Sequence, residues 1–219
     1  GITWSGALPR SDENGFLFAD AEEAYVLETA GVRHWACERV GEGQYRNISN
    51  GLSIRRNVHS HSAGLKDLCR TKGWWDGATP FDWKSALGMG GRSAHASLAV
   101  TGRELAGRKH LESMAAAAAS GGLVADDAAA WVGRMAAVLR DERSGICFRD
   151  VHGFCTTGSQ ISTLHRPGSV SDSHLFTSAS DPMSAGYKRF AFSTGDETGG
   201  AAVEGATEGA TEGAVEGQD

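Results

Sequence analysis

Cysteines and a pair of closely spaced histidines are the side chains of this sequence that could perform covalent or metal chemistry. No two cysteines have the spacing that binds zinc or that is typical of a disulfide framework; the four are Cys37, Cys69, Cys147 and Cys155. His59 and His61 could share one face of a strand, but no carboxylate or cysteine follows them at metal-ligand spacing. We therefore expect no metal site, and we expect free thiols in a reducing, cytoplasmic setting.

Three further kinds of interaction are disfavoured by sequence and charge. The Gly-rich run GMGGRS lacks the Lys-Ser/Thr pair and the strand-to-helix context of a phosphate loop, so no cofactor is expected. The net charge of −6 argues against a general nucleic-acid binder. No apolar run approaches the ~20 residues that span a bilayer, so no membrane insertion is expected. The oligomeric state is left open.

Four short runs between Gly15 and Ile54 predict an antiparallel meander. GFLFA, AYVLET and HWACERV are rich in β-forming residues, and acidic or Gly-containing turns separate them. The fourth run, Tyr45 to Ile54, contains several asparagines. Phe16 to Phe18 and Tyr25 to Leu27 are nearly continuous apolar runs, which is typical of strands buried on both faces. The sequence therefore predicts an α+β fold with layers on both sides of a sheet.

Helices and a second meander are predicted after this sheet. Ser62 could cap a short helix from Ala63 to Lys72, and Gly102 to Ala119 is helix-prone up to a Gly-Gly stop. Asp126-Asp127 should open an amphipathic helix whose stripe contains Trp131 and Val138. Later strands are expected over three segments: Phe154 to Ser162, His174 to Ser178 and Lys188 to Phe192. Trp74, Trp75 and Trp83 are expected to pack a helix onto the sheet.

The last part of the chain has a different composition. VEGATEGATEGAVEG repeats a four-residue unit without aromatic or large aliphatic side chains. Such a segment cannot form a core, and each glycine disfavours a helix. We expect residues 195–219 to form a disordered acidic tail, with a role in binding a partner as the alternative.

Five segments in order make the chain similar to a known family. They are ADAEEAYVLETAG with HWACERV and ISNGLSI, then GWWDG with FDW, MAAVLRDERSGIC, TTGSQIS, and HLFTSASDP with YKRFAF. These segments resemble the secernin/dipeptidase family of cysteine hydrolases, over roughly residues 14–192, most weakly between 92 and 130. The resemblance implies that residues 1–194 form a hydrolase domain that is incomplete at its N-terminus.

The resemblance also implies a fold and a mechanism. The family belongs to the N-terminal-nucleophile (Ntn) hydrolases, whose fold is a four-layer αββα sandwich. In such enzymes the first residue attacks the substrate, and its own α-amine, with a pKa of about 7.7–8.0, is the base. Gly1 has no side chain, and all four cysteines are internal. We therefore expect a nucleophilic cysteine upstream of Gly1, and a sequence that is a fragment, a processed form or an incomplete gene model.

Site residues follow from the resemblance, one position at a time. Asn50 in ISNGLSI corresponds to the position of an oxyanion donor, since an amide donates without titrating; alternatively, Asn50-Gly51 only turns the chain. Asn47 is interpreted as a surface residue. Arg103, with Arg108 as the competing choice, could clamp a substrate carboxylate, or could lie on a solvated helix face.

Hydroxyl groups in TTGSQIS could line the same pocket. Thr156 and Thr157, with Ser159, match a family segment on an inner strand, and they are predicted to bind substrate. The alternative is that threonine is present there only as a β-forming residue.

Three hypotheses remain open from the sequence. The first is a secernin-like cysteine dipeptidase that cleaves small peptides through an acyl-enzyme. The second is a non-catalytic secernin-like protein with a regulatory or exocytosis-linked role. The third is a remnant of a partial gene that does not fold alone, because half a sandwich exposes unpaired strand edges.

Overall fold

The first sheet is an antiparallel meander near the start of the chain. The computed structural model describes residues 14–31, 33–49, 51–88, 102–125, 127–149, 155–166 and 172–190. The strands are β1 (Asn14–Ala19), β2 (Ala24–Ala30), β3 (His34–Val40) and β4 (Ser60–His61), in the order β1-β2-β3-β4. Asp20 closes the first hairpin, because its carboxylate accepts the backbone N–H groups of Glu22 and Glu23.

Two short helices cover one face of this sheet. They are α1 (Leu65–Thr71) and α2 (Trp83–Gly88). Val26 and Ala36 from the strands form a buried cluster with Leu65 and Cys69 of α1 and with Trp83 of α2. The sheet and its two helices therefore share one apolar core, which stabilises them mainly by removing apolar surface from water.

Two longer helices follow and pack against each other. They are α3 (Gly102–Ala119) and α4 (Ala128–Leu139). Met114 of α3, Val138 of α4 and Leu123 between them are buried together. Gly121 ends α3 with a φ of 75°, and Asp127 caps α4 by accepting the N–H of Ala130. The expected bounds of α3 and the acidic start of α4 are thus confirmed.

The second sheet is also antiparallel and lies against α4. Its strands are β5 (Gln160–Thr163), β6 (Ser173–Thr177) and β7 (Tyr187–Phe190), in that order. The guanidinium of Arg140, at the C-terminal end of α4, stacks on the Tyr187 ring at 4.9 Å and donates to the carbonyls of Pro182 and Ala185. The observed architecture is α+β with antiparallel sheets, as the sequence predicts.

Each sheet has a second face that helices do not cover to the same extent. In β2 the side chains alternate between buried positions, such as Val26 and Ala30, and partly exposed ones, such as Leu27. The expectation of strands buried on both faces is therefore wrong for this sheet. Phe18 and Trp35 are 38% and 37% exposed, and Phe176 of the second sheet is 38% exposed.

Several predicted elements are misplaced. In the described residues between Tyr45 and Ile54 there is no strand; the fourth strand is Ser60–His61 instead. The reason is that Ser60–His61 occupies the place beside β3, whereas Ser53 and Ile54 are bound by the Glu28 side chain. The residue at the N-cap of α1 is Gly64, not Ser62, whose hydroxyl instead accepts the N–H of Trp35. The predicted tail, 195–219, lies outside the described residues.

Candidate active site

The residues predicted for the site lie in different parts of the structure. Asn50 is outside the described residues. Arg103 is in the first turn of α3, whereas Thr156 and Thr157 precede β5 and are not on a strand. Of the strand predicted from Phe154 to Ser162, the described residues before Gln160 are not in a strand, because pairing with β6 begins at Gln160.

Arg103 and Thr156 are brought together through one aromatic residue. The guanidinium carbon of Arg103 lies 6.0 Å from the centre of the Phe148 ring. The N–H of Phe148 donates to the Thr156 hydroxyl at 3.1 Å, and the Thr156 N–H donates to the Phe148 carbonyl at 2.9 Å. Thr157 is exposed beside them. The competing arginine, Arg108, is 3.3 Å from the carboxylate of Glu104.

The most enclosed polar group in the described chain is the carboxylate of Glu28, in the middle of β2. Only 1% of Glu28 is exposed. Its Oε1 accepts the N–H and the hydroxyl of Ser53, each at 2.6 Å, and the N–H of Ile54 at 3.2 Å. Its Oε2 accepts the indole N–H of Trp83 at 2.9 Å. One strand carboxylate therefore fixes both the segment after Asn50 and the start of α2.

The environment of Glu28 acts on its proton affinity in two directions. Burial raises the pKa of the Glu28 carboxyl, and the donors from Ser53, Ile54 and Trp83 oppose that rise. All of these neighbours donate, and the Ser53 hydroxyl oxygen already accepts from Arg46. Four hydrogen bonds donated to one carboxyl group suit its ionised form, and they offset part of the cost of burial.

Arg46 extends this network to a second strand. Its Nη2 donates to the Ser53 hydroxyl at 3.0 Å and lies 2.9 Å from Oε2 of Glu38 in β3. Glu38 also accepts from the Asn57 amide at 3.2 Å. The Nε of Arg46 is buried and has no hydrogen-bond partner among the described residues. The side chains of Glu38 and Arg46 are 13% and 21% exposed.

Asn47 joins the first sheet to α3. Its amide donates to the carbonyl of Glu104 at 2.8 Å, and a Cβ atom placed on Gly107 would stand 2.5 Å from its side-chain oxygen. The interpretation of Asn47 as a surface residue is therefore wrong. A side chain at Gly107 would force the Asn47 amide away from its hydrogen bond to Glu104, so this close approach favours glycine.

Comparison with protein families gives one result for the part of the chain that contains this network. Residues 7–102 match the family model for peptidase family C69. The match supports peptidase family C69 for this chain. It covers β1 to β4, α1, α2, the whole Glu28 network and Asn50, and it ends just before Arg103. No solved structure matches the chain.

Metal binding and membrane crossing find no support in the part of the chain that the structure describes. Among those residues, no three histidine, cysteine or acidic side chains come together in a way that could hold a metal ion. No described helix combines the length and the apolar character that crossing a membrane requires.

Glu28, Arg46 and Trp83 are residues that the sequence patterns did not assign to the site. A signal was present for Glu28, since it shares strand parity with the buried Val26 and Ala30 and so must point into the core. A charge at an inward position needs partners, which would have directed attention to nearby donors. The identity of those donors depends on contacts 25 and 55 residues away, which no local pattern reveals.

Proposed function

We propose that this chain is part of a secernin-like, cysteine-type dipeptidase that hydrolyses amide bonds in small peptides. The observation that carries the proposal is the match to peptidase family C69 over residues 7–102. That range contains the first sheet and its helices, together with Asn50, so the matched part is a structural unit with its own core.

The proposed chemistry is acyl transfer to a thiol. The thiolate attacks the peptide carbonyl carbon, the C–N bond breaks, and the leaving amine takes the proton that the α-amine had accepted. Water then hydrolyses the thioester, which releases the acid and restores the thiol. We place this thiol on a cysteine at the N-terminus of the mature protein.

Three of the four internal cysteines, Cys37, Cys69 and Cys147, are poor candidates for the nucleophile. Burial raises the pKa of the Cys69 thiol to about 11, and it also raises the pKa of Cys37. Cys147 is buried as well. Since the thiolate is the reactive form, a raised pKa and poor access both reduce reactivity at neutral pH. An N-terminal thiol with an adjacent amine avoids both problems.

Supporting residues are assigned as part of the same proposal. Asn50 donates its amide hydrogen to the oxyanion of the tetrahedral intermediate. Arg103, with Thr156 and Thr157, binds the substrate beyond the scissile bond, and the shared contact with Phe148 supports a common location for Arg103 and Thr156. Arg108 is less suitable because its charge faces Glu104.

We also propose that the two sheets are the inner layers of an Ntn-type αββα sandwich. The first sheet carries α1 and α2 on one face and exposes Phe18 and Trp35, and the second lies against α4 and exposes Phe176 and Phe190. Two sheets with helices on one face and partly exposed aromatics on the other are suited to stacking face to face.

The experiment is peptide hydrolysis by the protein isolated from its source with its natural N-terminus. We expect release of free amino acids from a dipeptide mixture, and loss of this activity after alkylation with iodoacetamide. Asn50→Asp, which keeps size but removes the amide donor, should lower kcat by about 10²–10³-fold. Absence of hydrolysis across the mixture would overturn the proposal and favour the non-catalytic, exocytosis-linked alternative.

A further inference from the structure

Four side chains form a continuous polar chain across the covered face of the first sheet. Glu38 contacts Arg46 at 2.9 Å, Arg46 contacts Ser53 at 3.0 Å, and Ser53 contacts Glu28 at 2.6 Å. We call these four residues, Glu28, Glu38, Arg46 and Ser53, the clasp. Two of them are in strands, and the other two are in the segment that has no regular structure.

The clasp closes a loop. Arg46 and Ser53 are seven residues apart, and the hydrogen bond between their side chains brings together the two ends of the loop between them. The described residues of this loop have no strand or helix that could fix their conformation. The Glu28 carboxylate also accepts hydrogen bonds from the backbone N–H groups of Ser53 and Ile54. Hydrogen bonds to side chains therefore hold the ends of this loop in place, as backbone hydrogen bonds between neighbouring strands hold a strand.

The composition of the clasp is unsuited to a purely structural role. The Glu28 carboxyl is buried, and the side chains of Glu38 and Arg46 are mostly buried. Burying charged groups costs solvation free energy, and well-packed apolar residues of similar volume often stabilise a fold as well or better. The buried Nε of Arg46 without a described partner adds to that cost. A directional network of this kind is better suited to defining one geometry.

We infer that the clasp is a positioning device for loop 47–52, and that Glu28, Arg46 and Ser53 are positioning residues for the reaction. The link to the reaction rests on the proposed function, because the loop contains Asn50. The substrate touches none of the clasp side chains in this proposal. They act by restricting the loop, so their removal lowers transition-state stabilisation more than substrate affinity.

The test compares two mild variants with a matched control in the full protein with its natural N-terminus. Ser53→Ala removes only the hydroxyl that links Arg46 to Glu28, and Arg46→Lys keeps the charge but loses the planar fork. Arg55→Lys is the control, since Arg55 forms a 2.8 Å ion pair with Asp82 outside the clasp. Hydrogen exchange of peptides covering 44–54 and of peptides covering β2 and β3 is measured together with kcat and KM.

We expect both clasp variants to speed exchange in 44–54 by about tenfold or more, with β2 and β3 unchanged. We also expect kcat to fall by about 10–100-fold while KM changes by less than about threefold, and Arg55→Lys to match the wild type. If residues 44–54 exchange at the wild-type rate in both variants, the inference is overturned. Equally faster exchange in β2 and β3, or faster loop exchange with unchanged kcat, would also overturn it.

If the proposed peptidase function is wrong, the experiment gives a different pattern of results from the one that overturns the role of the clasp. If the wild type hydrolyses no dipeptide but the clasp variants still loosen only 44–54, the positioning of the loop is supported and its link to peptide hydrolysis is lost. The exchange measurement needs no substrate, so the two outcomes are distinguishable.

Discussion

At the scale of single residues, the Glu28 carboxylate connects three separate parts of the chain. Its backbone donors come from residues 53 and 54, and its indole donor comes from Trp83. Sequence patterns predict that Trp83 is buried, and this is confirmed, since none of its surface is exposed. They do not predict that its nitrogen would serve a carboxylate, because that contact depends on the tertiary fold.

The hydrogen bond from the Trp83 indole to Glu28 should make a measurable contribution to the free energy of unfolding. Trp83→Phe keeps an aromatic ring but removes the donor to a buried charge, so we expect the free energy of unfolding to fall by about 1.5–3 kcal/mol. Trp75→Phe is the control, since the Trp75 nitrogen donates to an uncharged carbonyl of Thr79 near the surface. It should cost less than about 1 kcal/mol. Urea denaturation measures both, and equal losses would contradict this role for Trp83.

A second carboxylate should make stability depend on pH. Asp141 is 2.9 Å from the His110 ring, and this hydrogen bond, with another from Ser144, lowers the pKa of Asp141 from 3.8 to about 2. A lowered pKa means that the contribution of ionised Asp141 is complete above about pH 4 and is lost as the pH falls toward about 2.

Replacing this carboxylate tests that dependence. Between pH values of about 4 and about 2, wild-type stability should fall more steeply than that of Asp141→Asn. Asp67→Asn is the control, because the Asp67 carboxylate pairs with Arg70 while it remains 76% exposed. Urea midpoints measured across this range provide the comparison, and parallel curves for the wild type and Asp141→Asn would disprove the assignment.

At the scale of elements, local patterns predicted what local interactions determine. β1 to β3 lie close to the three predicted runs, and α3 has the predicted bounds, because hairpin turns and glycine stops are encoded nearby. The segment 45–54 was predicted wrongly as a strand. Its β-forming residues are present, but the place beside β3 is taken by Ser60–His61. Pairing between strands that are distant in sequence therefore determined which segment became the fourth strand.

Two helical glycines offer a paired test of how α3 meets the first sheet. Gly133 in α4 has open space around its Cβ position, so Gly133→Ala should raise the free energy of unfolding by about 0.5–1 kcal/mol. Gly107→Ala should lower it instead, because the new methyl group collides with Asn47. Thermal melting distinguishes the two changes in sign.

The source of the Gly107 effect can be isolated by a double variant. In the background Asn47→Ala the obstructing amide is gone, so Gly107→Ala should become neutral or stabilising there. If Gly107→Ala were equally destabilising with and without Asn47, the close approach of these two residues would not be its cause.

At the scale of the whole molecule, the exposed aromatic faces are the feature that the sandwich proposal must explain. Phe18 and Phe176 are each 38% exposed, and Tyr45 is 41% exposed. If the two sheets stack in the full protein, Phe18 and Phe176 become buried while Tyr45 stays accessible. Hydroxyl-radical footprinting should then show both phenylalanines strongly protected relative to Tyr45. Similar reactivity at all three would argue against stacking.

The sequence predicted the α+β class, which the structure confirms, and a cysteine peptidase family, which the match to peptidase family C69 supports. The family resemblance and the match to peptidase family C69 agree over the first sheet, where the motifs are densest. Arg103 and Thr156 were selected from weaker segments, and Phe148, which brings them together, was not selected. Residues that hold other residues in place carry little local signal, and the clasp is composed of such residues.

The proposed activity is cysteine-type peptide hydrolysis with an N-terminal thiol as the nucleophile. The most direct measurement is the identity and reactivity of the first residue of the protein isolated from its source, by N-terminal sequencing with and without prior iodoacetamide treatment. We expect a first-residue cysteine that is alkylated rapidly and whose alkylation abolishes dipeptide hydrolysis. A first residue without a nucleophilic side chain, or hydrolysis that survives alkylation of an N-terminal cysteine, would contradict the claim.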